Sequence, residues 1–117
     1  MDTESALAAL RALSQSTRLE IFRLLVRHEP DGLLAGDVAR HLDAPQNTIS
    51  AHLATLTRAG LLTSQRHSRL IIYRACLPRL RDLMLFLVWD CCAGSPEICA
   101  PLITTLSSCC PSAEACS

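Results

Sequence analysis

The chain has 117 residues, of which 50% are hydrophobic and 19% are charged, so it can form one small packed domain and is too apolar for general disorder. Its eleven basic residues, all arginine, balance eleven acidic residues, which excludes a uniformly basic nucleic-acid-binding protein but not a locally basic one. Residues 1–4 lack the basic start of a signal peptide, and the longest apolar run, residues 83–89, is too short to cross a bilayer. We therefore expect a cytoplasmic protein with no membrane partner, in which clustered cysteines are ligands or redox thiols rather than disulfides.

The spacing of apolar residues predicts four helices, a β-hairpin and a last helix, in that order. The predicted helices cover residues 4–13, 17–28, 36–42, 45–59 and 77–89, and the predicted strands cover residues 61–65 and 70–75. We expect Ser14 or Ser16 to cap the second helix, Pro45 to be the first residue of the fourth, and Gly60 to end it. The residues expected to face the core are Leu19, Phe22, Leu25 and Val26 in the second helix, Val38, Ala39 and Leu42 in the third, and Ile49, Leu53 and Leu56 in the fourth.

This order predicts the fold class. Two short helices joined by a tight turn and followed by a hairpin are typical of a winged helix-turn-helix, a mainly α fold with a β-hairpin wing (α+β). We expect residues 1–92 to form this DNA-binding domain, and residues 93–117 to form a cysteine-rich loop or tail attached to it.

Charge is segregated along the chain. Residues 44–81 contain no Asp or Glu but six arginines and two histidines, whereas the rest of the chain holds five arginines and all eleven acids. A neutral protein can therefore present one basic face of the kind that binds phosphates. The alternative is a chance fluctuation on a solvated face.

The fourth predicted helix carries the candidate base-reading residues. In a winged helix-turn-helix this helix enters the major groove with its first turn towards the bases, and here that turn is Gln46, Asn47 and Thr48, followed by Ser50. Gln and Asn can pair with adenine through two hydrogen bonds, and Thr and Ser can bind bases or phosphates. Arg66 and Arg69 at the hairpin are predicted to bind the flanking backbone or the minor groove.

His52 and Cys76 are expected to have structural roles. His52 is interpreted as a hydrogen-bonded, partly buried residue or a phosphate contact rather than a metal ligand. Cys76, between the second strand and the last helix, is interpreted as a small buried hydrophobic residue. No phosphate-binding glycine loop or nucleophile–base pair is visible, so we do not expect an enzyme.

Two segments resemble one family. Residues 49–62, ISAHLATLTRAGLL, resemble the helix-turn-helix signature of the ArsR/SmtB repressors, and residues 12–21, ALSQSTRLEI, resemble the opening of that domain. The resemblance implies a homodimer paired through its first and last helices, which binds double-stranded operator DNA until a metal or metalloid ion releases it. Apolar residues on those helices agree with this pairing: Leu7, Leu10, Leu80, Leu83, Met84 and Leu87.

Sensor sites differ within this family. The site with a Cys-x-Cys pair before the turn has no counterpart here, because residues 35–40 contain no cysteine. The last-helix site of Asp and His residues is also unsupported, since Asp82 has no histidine after it. Cys91 and Cys92, followed by Cys99, resemble instead the arsenic repressors whose ligands are an adjacent pair at the end of the last helix and a third cysteine a short loop later.

Thiolates suit the implied inducer, because As(III) and Sb(III) are soft, three-coordinate ions. We therefore expect a repressor released when As(III) or Sb(III) binds Cys91, Cys92 and Cys99. The alternatives are a thiol-redox switch or a sensor of Cd(II), Pb(II) or Hg(II) on the same DNA module, and a metal-buffering protein that only carries a winged helix. The second set, Cys109, Cys110 and Cys116, could be a second site, an alternative ligand source or a thiol trap.

Overall fold

A computed structural model describes residues 1–90 of the chain. Its helices are α1 (Thr3–Leu13), α2 (Ser16–Arg27), α3 (Ala35–Leu42), α4 (Gln46–Arg58) and α5 (Leu77–Leu85), and α5 continues as a π-helical turn, Phe86–Asp90. Its strands are β1 (Leu33–Leu34), β2 (Leu62–His67) and β3 (Leu70–Ala75). The predicted mainly helical fold with a β-hairpin wing is confirmed. The predicted tail, residues 93–117, and the six cysteines from Cys91 onward lie outside the described residues.

Helix α1 packs through small side chains. Asp2 caps its first turn, where the carboxylate accepts a hydrogen bond from the Ser5 amide at 2.8 Å, and this bond holds the pKa of the Asp2 carboxyl below its usual value. The alanines at positions 6, 9 and 12 are buried, so the helix backbone lies close to the core. Leu7 and Leu10 lie on the other side of the helix and are exposed.

The N-cap and the buried face of α2 both differ from the prediction. Its cap is Gln15 rather than Ser14 or Ser16, because the Gln15 side chain accepts a hydrogen bond from the Arg18 amide at 2.8 Å. The helix packs against α1, α3 and α4, so its buried arc is centred on Ile21 and Leu25. The prediction that Leu19 faces the core is therefore wrong, and this side chain is 41% exposed.

The turn between α3 and α4 is tight, as predicted. Asp43 ends α3 in the left-handed region with φ of 51°, and the Ala44 amide donates to the carbonyl of Ala39 at 3.0 Å. Pro45 is the cap of α4 and not its first residue, because its ψ of 139° is extended. The predicted core face of α4 is confirmed, since Ile49, Leu53 and Leu56 are all fully buried.

Gly60 ends the α4 segment, as predicted, with φ of 82°. This left-handed conformation favours glycine, and a Cβ at this position would also lie 2.7 Å from Nε of the Arg79 side chain, which would have to move. The Arg79 side chain near the start of α5 therefore lies directly against Gly60.

The three strands form an antiparallel sheet in the order β1, β3, β2. The β2–β3 hairpin turns at Ser68 and Arg69, with Leu62 opposite Ala75 and His67 opposite Leu70. Strand β2 thus extends two residues beyond the predicted end at residue 65. Strand β1 was not predicted, because two residues are too few to show an alternating pattern.

Part of the apolar face of α5 is buried in the core of the chain itself. Leu83 is 3% exposed and belongs to the core, so it is not available to a partner as the sequence suggested, whereas Leu85 and Leu87 are 45% and 42% exposed. Cys76 caps α5 and is half-buried rather than fully buried. Within residues 1–90, no helix has the length and apolar character needed to cross a bilayer.

Two leucines of α2 test the observed packing. Leu25 is fully buried and Leu19 is largely exposed. We expect Leu25→Ala to lower the free energy of unfolding by about 2–5 kcal/mol, because it removes buried methyl groups and leaves a cavity. The matched Leu19→Ala variant should change it by roughly 0.5 kcal/mol or less in urea titrations. Equal losses in the two variants would contradict this orientation of α2.

Candidate nucleic-acid interface

The exposed side of α4 forms a narrow stripe opposite its buried face. With 100° between successive residues, the exposed positions 47, 50, 51, 54 and 58 fall within about 100° of one another around the helix axis. The stripe consists of Asn47, Ser50, Ala51, Ala54 and Arg58. Its side chains are short apart from the arginine at the C-terminal end, so another molecule can approach the helix backbone closely.

Asn47 and Ser50, two of the predicted base-reading residues, lie on this stripe. The Oδ1 atom of Asn47 accepts a hydrogen bond from the Thr48 amide at 2.9 Å, within the first turn of the helix. This oxygen keeps a second lone pair, and its amide nitrogen can donate two bonds, so Asn47 retains the donor and acceptor that pairing with adenine requires.

Gln46 and Thr48 are exposed but lie to either side of the stripe. Gln46 is turned about 100° away from Asn47. Its Oε1 atom lies 3.5 Å from the position that a Cβ on Gly36 would take, in a depression between α3 and the start of α4. The structure thus separates the four predicted residues into a central pair and two flanking residues.

Sequence reasoning did not select Ala51, Ala54 or Arg58. The helical repeat from Asn47 could have found them, because these positions follow it at intervals of four, seven and eleven residues. Alanine carries no polar signal of its own, so only the shared face identifies these residues.

The wing presents two arginines. Arg66 lies in β2 opposite Ile71, and Arg69 follows Ser68 in the hairpin turn, where Ser68 has φ of 61°. Both arginines are exposed, and among residues 1–90 neither forms an ion pair. Both therefore keep a full positive charge towards solvent at the end of the hairpin.

Other arginines of the module are already paired. Arg74, in the acid-free stretch, donates to Glu29 at 2.8 Å from Nη2 to Oε2, and the Glu29 carboxylate raises the pKa of the Arg74 guanidinium. Arg40 on α3 is paired with Asp37. The free positive charge of the acid-free stretch is therefore smaller than the sequence count suggests. The Glu29–Arg74 pair joins the turn after α2 to the base of the wing.

His52 is half-buried on α4, as predicted. Its Nδ1 atom lies 3.5 Å from Nη1 of Arg18 on α2, which places it in a hydrogen-bonding position between two helices. Among residues 1–90 no group of three His, Cys, Asp or Glu side chains could hold a metal ion. The predicted ligands Cys91, Cys92 and Cys99 lie outside the described residues.

Known proteins match this module. A helix-turn-helix domain family matches residues 13–65. Over 72 residues the chain is 29% identical to the transcriptional activator HlyU of Vibrio cholerae and 38% identical to the cadmium resistance transcriptional regulatory protein CadC of Listeria innocua. These matches cover 62% of the chain, 64% of HlyU and 59% of CadC, so the chain spans about three fifths of the length of these relatives. As expected, the relatives are transcriptional regulators and not enzymes.

Solved structures with the same fold extend the match. An ArsR-like transcriptional regulator from Rhodococcus sp. RHA1 superposes with a TM-score of 0.65 at 28% identity, covering 90% of this chain and 89% of the other. A possible transcriptional regulator for arsenical resistance superposes with a TM-score of 0.59 at 29% identity, covering 68% of this chain and 79% of the other. The helix-turn-helix match and these neighbours show that the described part of the chain is similar to winged-helix transcriptional regulators, among them ArsR-like ones.

Proposed function

We propose that this chain is a cytoplasmic transcriptional repressor that binds double-stranded operator DNA as a homodimer and releases it when As(III) or Sb(III) binds its cysteine thiolates. The observation that carries the DNA-binding part is the exposed face of α4, which begins with uncharged polar side chains while the opposite face is fixed in the core. Uncharged donors and acceptors suit base edges, which carry no net charge. The unpaired Arg66 and Arg69 on the wing suit phosphates.

The central residue Asn47 should contribute most to sequence recognition. We expect Asn47→Ala to cost about 1–3 kcal/mol in binding to a duplex that the wild-type chain selects from a randomised library, because it removes a paired base contact. Gln46→Ala should also reduce sequence specificity, but less, because Gln46 lies beside the stripe. Fluorescence anisotropy with the selected and a scrambled duplex measures both effects. Unchanged affinity after substitution of Gln46, Asn47 and Thr48 together would show that another surface enters the groove.

The wing arginines should contribute equally to the affinity for every DNA sequence. Arg66→Ala and Arg69→Ala are expected to weaken binding to both duplexes and to lower the slope of log affinity against log salt by about 0.9 for each phosphate that the variant no longer neutralises. Arg23→Ala, an exposed arginine of α2, is the matched control and should leave the slope unchanged. A slope that falls as much for Arg23→Ala as for the wing variants would count against a specific wing contact.

Exposed leucines support the proposed homodimer. Leu7 and Leu10 on α1 are 42% and 37% exposed, and Leu85 and Leu87 near the end of α5 are exposed to a similar extent. Large apolar side chains on the first and last helices gain free energy when a second copy covers them. A dimer would also place two α4 helices on successive turns of one face of DNA.

The dimer prediction can be tested with two leucines of equal chemistry. We expect Leu10→Glu to convert the protein from dimer to monomer at micromolar concentration, because a buried carboxylate at the interface would be unpaired. Leu19→Glu, at 41% exposure on α2, should remain dimeric. Sedimentation velocity distinguishes the two species. A wild-type monomer that still binds the selected duplex fully would refute the dimer.

The inducer site is proposed from the chemistry of the C-terminal cysteines. Cys91 and Cys92 follow Asp90 directly in the chain, so an ion bound there can act on the end of the last helix. Three thiolates match the softness and coordination number of As(III). The neighbour named as a possible regulator for arsenical resistance supports this inducer. The likeness to CadC makes cadmium the second candidate.

Serine variants separate the two cysteine sets. We expect As(III) to reduce the DNA affinity of the wild-type chain roughly 5–150-fold, a typical range for allosteric coupling. Cys91→Ser and Cys92→Ser should keep DNA binding and lose this response, whereas Cys76→Ser should keep both. Titration with Cd(II) in the same anisotropy assay decides between the two candidate ions.

A truncated chain provides the control for the distal cysteines. A chain ending at Thr104 keeps Cys91, Cys92 and Cys99 and lacks the other C-terminal cysteines. We expect it to respond to As(III) like the full chain, because ordering the longer distal segment would cost about 1–2 kcal/mol for each fixed residue. If this chain bound DNA but ignored As(III), the distal set would be the sensor.

A further inference from the structure

One arginine side chain connects the end of α1 to the middle of α4. Arg18, half-buried in the first turn of α2, donates from Nε to the Ala12 carbonyl at 2.7 Å and reaches the Arg11 carbonyl from Nη2 at 3.5 Å. Its Nη1 atom lies 3.5 Å from Nδ1 of His52. A single guanidinium on α2 therefore joins α1 to α4.

The contacts at the α1 end hold this guanidinium in place. The Ala12 carbonyl lies in the last turn of α1, where carbonyls lack the usual partner four residues on and a cation is favourable because of the helix dipole. The Arg11 carbonyl also accepts from the amide and hydroxyl of Ser14, so the Ala12 bond is the main attachment of the guanidinium to α1. The backbone of Arg18 is fixed as well, since its amide donates to the Gln15 side chain at 2.8 Å. The planar guanidinium then offers its remaining nitrogen in a direction set by α1.

The contact at the α4 end requires one form of His52. Arginine can only donate, so Nδ1 of His52 must accept and the proton of the neutral ring must lie on Nε2. His52 lies between Ala51, which is on the exposed stripe, and the fully buried Leu53. A displacement of the His52 ring would therefore move α4 next to its exposed face.

We propose that Arg18 is a positioning residue that fixes α4 to the C-terminal end of α1 through His52, and so sets the orientation of the base-reading face relative to the first helix. This inference rests on the proposed DNA-binding function and deepens it. It assigns a role in sequence recognition to two residues that are not on the exposed stripe. A shift of α1 when subunits pair or separate would pass to α4 along this contact.

The test uses substitutions from both sides of the contact. His52→Leu removes the acceptor, whereas His52→Asn places a carbonyl oxygen near the position of Nδ1. Arg18→Gln removes the guanidinium that joins the helices, and Arg23→Gln, an exposed arginine on the same helix, is the matched control. The probes are the duplex selected by the wild-type chain and a scrambled duplex, and thermal unfolding is measured for each variant.

We expect Arg18→Gln and His52→Leu each to reduce affinity for the selected duplex about tenfold, the ratio that corresponds to one hydrogen bond of this kind. Affinity for the scrambled duplex and the salt slope should stay unchanged, the double variant should be no weaker than either single variant, and His52→Asn should restore selective binding. A purely structural role would reduce binding to both duplexes in parallel with the unfolding temperature. Additive losses, or wild-type selectivity in His52→Leu, would overturn the proposal.

A spectroscopic measurement keeps this proposal separate from the proposed function. Nitrogen NMR of the wild-type chain without DNA should show that the neutral ring of His52 carries its proton on Nε2, and Arg18→Gln should abolish that preference. If Nδ1 carries the proton in the wild-type chain, the contact does not exist and the proposal is wrong. If the tautomer is as expected but the wild-type chain selects no duplex from the library, the DNA-binding function itself fails, and Arg18 has no recognition role.

Discussion

The burial of one face of α4 is the constraint on which the rest of this structure depends. Ile49, Leu53 and Leu56 are fully buried against the other helices, so α4 cannot rotate about its axis without exposing them. Burying each such side chain contributes about 1.5–3 kcal/mol, which is a substantial fraction of the roughly 5–15 kcal/mol net stability of a small domain. The orientation of Asn47 and Ser50 towards solvent follows from this packing, because they lie on the opposite side of the same helix.

The electrostatic arrangement follows from pairing as much as from composition. Acidic and basic residues are segregated along the sequence, but Glu29 pairs with Arg74 and Asp37 pairs with Arg40. The charges of these two arginines are therefore neutralised within the domain. Arg66 and Arg69 remain unpaired within residues 1–90, at the end of the hairpin. A chain with no net charge can therefore offer a small positive surface beside an uncharged polar helix face. This combination suits a ligand with phosphates outside and polar base edges inside.

The sequence predicted the elements well, because their signals are strong and local. The periodic spacing of Ile49, Leu53 and Leu56 identified both α4 and its buried face. The errors arose at positions where tertiary contacts, rather than local spacing, determine which side chains are buried. Leu19 has the right spacing to face the core, yet α2 packs with Ile21 inward. The apolar spacing of α5 places Leu83 at a partner interface, yet this side chain is buried in the core of the chain itself.

The candidate site was predicted only in part, for a related reason. Residue type identified Asn47 and Ser50, but the exposed alanines of the stripe carry no polar signal. The Arg18–His52 contact joins residues 34 positions apart, and neither local spacing nor composition could reveal it. The proposed inducer ligands rest on sequence and chemistry alone, since Cys91, Cys92 and Cys99 lie outside the described residues.

The most direct test of the central claim is a map of backbone amide shifts in NMR spectra of the full chain as the selected duplex is added. The account predicts the largest changes on the α4 stripe, at Asn47, Ser50 and Ala51, and at Arg66 and Arg69 on the wing. Amides around Arg23 on α2 should change little. If α2 shifted strongly while the α4 stripe and the wing kept their free-state positions, α4 would not be the base-reading helix.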